Sequence, residues 1–158
     1  MKMKVFFDDE REAPTGWTLI REPEELYQML AIDRVVTHLS LDNDLGVYGQ
    51  RPAVVLFKEH YFEDSSKLEK DLEGIDIADW LLWKCEQDDT FVPPHLAAHT
   101  ANSVREVNIL SIALYLEELH TCYICNSEID ARTAAGATKT IVGPNRKLVR
   151  VCRHHKGV

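Results

Sequence analysis

The chain has 158 residues and a mass of 18.1 kDa, room for one ordinary domain and a small appendage but not for two full domains. Its 45% hydrophobic residues exclude a disordered chain, and its formal net charge of -8 excludes a whole-molecule electrostatic grip on nucleic acid or an anionic membrane. The charge is uneven: seven of the 18 basic residues lie in 121–158, against two of the 26 acidic ones, so an acidic body precedes a basic tail.

Lys4-Val5-Phe6-Phe7 is a short apolar run of strand type, stopped by Asp8-Asp9 too soon to serve as a signal peptide. After the Pro14-Thr15-Gly16 turn, Trp17-Thr18-Leu19-Ile20 reads as a second strand. Pro23-Glu24-Glu25 opens a helix, with Leu26, Met29 and Leu30 on one face. Val35–Leu41 is a further strand, again stopped by acids at Asp42 and Asp44. Gly46–Gly74 is harder to place. Ala53–Phe57 suits strand or helix, and the charged Ser65–Glu73 stretch reads as exposed, so residues 46–73 are treated as an insertion or lid. Ile75–Trp83 has helical spacing with Asp76 placed to cap, and Cys85 follows as a buried thiol on that helix. His95–Ala98 reads as a short strand after the Pro93-Pro94 break. Ser103-Val104-Arg105-Glu106 has the form of a capping box, opening a helix to about Leu119 whose buried face would use Val107, Leu110, Leu114 and the Ile112-Leu116-Leu119 row. Strand and helix alternate, which predicts an α/β domain with a mostly parallel, doubly wound sheet over residues 1–120.

Two constellations carry chemistry. In the first, Asp8-Asp9 and Asp42-Asn43-Asp44 each end a strand, and strand ends of an open parallel sheet gather on one edge beside its switch point. Carboxylates gathered there repel one another unless a cation lies between them, and a hard ion such as Mg²⁺ (or Mn²⁺) is the expected one. The third strand end runs through His99-Thr100-Ala101-Asn102 into a helix N-terminus, a favourable seat for phosphate.

Phe6-Phe7-Asp8-Asp9-Glu10-Arg11, Ser40-Leu41-Asp42-Asn43-Asp44-Leu45-Gly46 and His99-Thr100-Ala101-Asn102 together resemble the cyclic-phosphate-processing receiver domains, over about residues 3–119. The resemblance implies a flavodoxin- or receiver-like fold, a divalent ion held by Asp8, Asp9 and Asp42, and a phosphate-directed role for Arg11, His99, Thr100 and Asn102. It also implies work on cyclic phosphates, at RNA ends or in cyclic nucleotides. Asn43 stands where that family usually has histidine. No apolar strand ending in lysine follows the last helix, which disfavours a phosphorelay switch and leaves Arg11 or His99 to supply positive charge.

The second constellation is Cys122-Tyr123-Ile124-Cys125, answered by Cys152-Arg153-His154-His155. Cys122, Cys125, Cys152 and His155 have the spacing of a closed, structural Zn²⁺ site, with His154 as the second choice for the imidazole. Residues 121–158 therefore read as a small zinc-ribbon-like module that depends on its metal to fold. Three of the four cysteines at ligand spacing point to a reducing, cytoplasmic compartment, and no apolar run approaches the roughly 18 residues a membrane span needs.

The leading expectation is a metal-dependent phosphoesterase. Mg²⁺ would sit on Asp8, Asp9 and Asp42; His99 would give a proton to the leaving oxygen, Asp44 would be an alternate base, and Asp42 a less favoured nucleophile. Arg11, Thr100 and Asn102 would bind the phosphate of a nucleotide or RNA-end substrate. The competing expectation is a non-catalytic nucleotide-binding sponge or an interaction module whose basic tail contacts nucleic acid or protein.

Overall fold

The computed structural model describes residues 2–50, 54–121, 128–129, 138–142 and 147–151. Four parallel strands form its main sheet: β1 (Met3–Phe7), β2 (Thr18–Ile20), β3 (Val36–Leu41) and β4 (His95–Ala98), in the spatial order β2-β1-β3-β4. The chain lays β2 on one side of β1 and β3 on the other, so the switch point falls between β1 and β3. Loops leaving those two strands diverge there and open a crevice at their carboxyl ends. The expected strands are all present, and the fold is receiver- or flavodoxin-like.

Alternation along the strands decides the faces. Val5, Phe7, Leu39, Leu41 and Leu96 enter one hydrophobic cluster with Leu26, Leu30, Trp80, Leu81, Ile109 and Leu116 from the helices. Phe6 and Ser40, which pair in register on the opposite face, are buried outside that cluster.

Pro23 and the acids behind it start α1 (Pro23–Tyr27), which widens into a π turn over Gln28–Ile32 and buries Leu26, Met29 and Leu30 as expected. The helix expected over Ile75–Trp83 extends as α4 (Gly74–Gln87, α2 and α3 being the short helices described below), with Cys85 buried on it. Its cap is Glu73, and Asp76, the third residue of the first turn, completes a reciprocal box.

The helix α5 (Ser103–Glu117) departs from expectation in two ways. Asn102, not Ser103, is the cap, its side chain accepting from the Arg105 N–H at 3.1 Å. Leu116 and, past the helix end, Leu119 are buried as expected with Ile112 partly buried beside them, but Ile109 and Ala113 complete the buried face, whereas Val107, Leu110 and Leu114 are exposed. Both rows have helical spacing; packing on α4 and β4 selects one of them.

The insertion is packed down. The short helices α2 (Val54–Phe57) and α3 (Ser65–Leu68) flank a 3₁₀ turn, which settles the Ala53–Phe57 stretch as helical from Val54. Phe57 is fully buried with its ring edge-on to Trp80, at 5.4 Å between centroids. Trp80 Nε1 donates to Glu59 at 3.1 Å and the Tyr61 hydroxyl donates to Asp79 at 2.9 Å. Lys58 is buried too, its ammonium donating to the carbonyls of Lys67 and Lys70, which satisfies a charge that burial would otherwise penalise.

Past Thr121, β5 (Thr138–Val142) and β6 (Lys147–Val151) form an antiparallel hairpin. Arg150 in β6 is buried and donates to the Asp88 carbonyl at 3.3 Å, so this hairpin touches the end of α4. The zinc candidates Cys122, Cys125, Cys152 and His155, and the second choice His154, lie outside the described residues. No helix among the described residues is long and apolar enough to cross a membrane.

Candidate metal and phosphate site

β1 and β3 are hydrogen-bonded in register through Phe7 and Leu41, so the next residue of each, Asp8 and Asp42, emerges side by side at the switch point. The Asp42 N–H donates to the Phe7 carbonyl at 3.0 Å and fixes that alignment. One carboxylate oxygen from each of Asp8, Asp9 and Asp42 lies within 4.8 Å of the others, and Asp8 and Asp42 are buried. The three acids singled out in the sequence thus come together.

Their environments differ. Burial pushes the Asp8 carboxyl up, but the N–H groups of Arg11 and Glu10, each 2.8 Å from Oδ1, and the His99 ring at Oδ2 outweigh it, leaving Asp8 below its ordinary value. Asp42 lacks such a nest. Burial first, and then the Asp8 charge, push it up to about 6. A carboxyl raised by burial and by a neighbouring carboxylate is one whose charged form a cation would favour. The donor set, three carboxylates with two of them buried, fits a hard divalent ion such as Mg²⁺.

Two glycines set the walls. Gly46 adopts φ +55°, and a β-carbon there would lie 2.7 Å from an Asp9 carboxylate oxygen, so a side chain would strain the backbone and push the acid aside. At Gly74 a β-carbon would come within 2.1 Å of the Asp42 carbonyl, so α4 approaches the end of β3 by the same device. Asn43 locks this junction. Its Oδ1 accepts from the Ile75 N–H at 3.1 Å and its Nδ2 donates to Glu73 at 2.9 Å. Asn43 is fully buried, and its side chain is spent on holding the helix start.

β4 delivers His99. Its N–H bonds the Leu41 carbonyl at 3.0 Å, and its ring stacks on Phe6 with centroids 3.8 Å apart. Both ring nitrogens are engaged: Nε2 lies 2.9 Å from Asp8 Oδ2 and Nδ1 2.7 Å from the Ser40 hydroxyl. Because Asp8 is ionised and only accepts, Nε2 carries the proton and Nδ1 accepts from Ser40. Burial, aided by the nearby Arg11 charge, keeps the His99 pKa below its ordinary value despite Asp8.

The remaining candidates spread around this centre. Arg11 Nη1 donates to the His99 carbonyl, which holds the guanidinium across the mouth of the site. The buried Thr100 hydroxyl accepts from the Asn102 N–H at 3.1 Å, and Asn102 caps α5, so both shape the turn that a phosphate would meet. Asp44 is exposed and stands outside the carboxylate cluster, beside a groove of about 530 Å³ between its own loop and the end of the insertion.

Sequence reasoning gave no role to Ser40, Phe6 or Glu73. Ser40 was findable, because alternation puts it on the same face as Asp42 two residues on. Phe6 was findable by the same alternation, two residues before Asp8, but Glu73 was not, since its contacts with Asn43 and Arg105 join segments far apart in the chain.

No curated protein and no solved structure matches this chain. Residues 3–114 match the cyclic-phosphate processing receiver domain, a stretch that begins with β1 and runs into α5, and so contains every strand, acid and histidine of the site just described. The chain belongs to the cyclic-phosphate processing receiver domain family.

Proposed function

We propose that the chain is a metal-dependent phosphoesterase that opens a cyclic phosphate, at an RNA 2′,3′-cyclic end or in a cyclic nucleotide. The observation that carries this reading is the convergence of Asp8, Asp9 and Asp42 with a neutral, proton-bearing His99 at one switch point. Asp8, Asp9 and Asp42 would hold Mg²⁺ or Mn²⁺, which supplies charge neutralisation for the phosphoryl oxygens and activation of water.

The chain's own groups account for the rest. In the reaction, water adds to phosphorus, one P–O ester bond breaks, and the departing oxygen takes a proton to leave a phosphate monoester. A neutral His99 would act as a relay: the ring takes up the proton that the attacking water sheds and gives one to the departing oxygen, ending neutral again, while Asp8 and Ser40 hold it in place. Arg11, poised at the His99 carbonyl, would pair with the phosphate, as would Thr100 and Asn102 at the start of α5. Asp44, out on its loop, is the alternate base.

A second reading, binding without turnover, draws on one observation: both His99 nitrogens are already bonded within the protein. The purified chain incubated with Mg²⁺ and a panel of 2′,3′-cyclic-phosphate RNAs and cyclic nucleotides separates the two. Hydrolysis that needs the metal supports the enzyme. Tight binding with intact ligand supports the sponge.

The tail carries a separate proposal: one structural Zn²⁺ on Cys122, Cys125, Cys152 and His155. Its support is the spacing of those residues. Elemental analysis of chain purified without chelator should find one zinc lost in Cys122→Ser, and a folded tail without metal would sink it.

A further inference from the structure

The opposite edge of the sheet, where the strands begin, holds a second group of metal-type donors. His95 opens β4, Glu117 ends α5, and His120 closes the 3₁₀ turn that follows. One ligand atom from each lies within 4.8 Å of the other two. His95 Nδ1 and Glu117 Oε1 are 2.6 Å apart, and the His95 and His120 rings stack with centroids 4.2 Å apart. His38, in register with His95 on the adjacent strand, lies against the His95 ring with centroids 4.9 Å apart. His120 Nε2 is buried and has no hydrogen-bond partner among the described residues.

A buried ring nitrogen without a partner is unfavourable, because nothing replaces the water it gave up on folding. Its lone pair is also what a metal ion takes up. His95 and His120 line a cavity of about 330 Å³ walled by Phe91, Pro93, Pro94 and Ile129. The geometry points to a second metal site: we propose that His95, Glu117 and His120 bind a borderline divalent ion of the Zn²⁺ type, with an open coordination position toward the cavity. Two imidazole nitrogens and one carboxylate suit such an ion, whereas Mg²⁺ favours all-oxygen sites like the acidic one at the other edge. Three protein ligands leave a position that a fourth would close. The ion would clasp the end of α5 to the first residue of the outer strand β4.

Cys122 follows His120 closely, so the test must tell nitrogen ligands from sulfur. Metal-free full-length chain is titrated with Co²⁺ and followed by absorption. The expected result is one cobalt with visible d–d bands beyond that taken by the tail cysteines, adding no sulfur-to-cobalt charge transfer of its own and retained in Cys122→Ser. In His95→Ala and in Glu117→Gln its affinity should fall roughly tenfold or more. Glu117 is 48% exposed, so Glu117→Gln keeps the fold and decides the matter should His95→Ala unfold. Equal cobalt stoichiometry and affinity in wild type and Glu117→Gln, or sulfur charge transfer from every bound cobalt, would overturn the proposal.

Discussion

The two edges of one parallel sheet carry opposite chemistry. Where β1 and β3 end, the chain presents Asp8, Asp9 and Asp42; where β3 and β4 begin, it presents His38 and His95, joined by His120. The same burial acts on both with opposite sign. At the acidic edge it pushes Asp42 up to about 6, and at the imidazole edge it pushes His120, next to His95, down to about 4. Asp42 and His120 therefore each resist their charged form, whereas Asp8, held by N–H groups and His99, keeps its charge. The contrast teaches that a shared backbone frame can hold two donor sets of different hardness, separated by the length of a strand.

The largest expected effect tests the acidic edge as a reaction centre. His99→Gln can still hydrogen-bond Asp8 but cannot pass a proton, so turnover of a cyclic phosphate should fall roughly 10²–10⁴-fold while the Mg²⁺ dependence of the melting temperature stays. Unchanged turnover would reduce His99 to a positioning role and leave Asp44 as the remaining proton-transfer candidate.

Next is Asp42→Asn. With its native value near 6 against an ordinary 3.8, Asp42 makes the metal-free fold bind more protons than the unfolded chain between those pH values. Stability from this group is therefore lost as pH rises from about 4 to about 6, by roughly 3 kcal/mol at neutral pH. Asp42→Asn should remove that loss, stabilise the metal-free chain at pH 7 and abolish stabilisation by Mg²⁺ in thermal melts. A destabilised variant that still responds to Mg²⁺ would make Asp42 a core group instead.

His120 should show the reverse slope. Its native value near 4, below the ordinary 6.5, means the unfolded chain binds more protons in between, so stability is lost as pH falls through that interval. Denaturant melts of His120→Gln and Asp42→Asn between pH 4 and 7 should differ from wild type with opposite slopes. Parallel shifts would break the comparison.

The smallest effect is at Gly46. Gly46→Ala places a methyl at positive φ and against Asp9, and should cost about 1–2 kcal/mol of stability and weaken Mg²⁺ binding. Stability lost with unchanged Mg²⁺ affinity would mean Asp9 lies off the metal.

Much of the frame was legible because it is written in short runs. Each strand is an apolar stretch closed by an acid, a histidine or a turn, and the alternation of strand and helix implied a parallel sheet whose ends gather. The acids Asp8, Asp9 and Asp42 sit at those ends, so their convergence followed from topology. The choice of face on α5 did not follow, because Val107-Leu110-Leu114 and Ile109-Ala113-Leu116 have equally good helical spacing. The insertion was equally silent, since only its contact with Trp80 tells that Phe57 is core while Val55 is surface.

The sequence by itself determined the donor types, their places at strand ends and the cysteine spacing of the tail. The tertiary structure alone decided which donors meet. Ser40, His99 and Asp8 form one chain of hydrogen bonds, Asn43 is a structural clamp, and His95, Glu117 and His120 draw together from a strand, a helix end and a turn. The physical reason is range. Propensity and periodicity act over a few residues, whereas the charge felt by Asp42 or the missing partner of His120 depends on segments brought close only by burial of the common core.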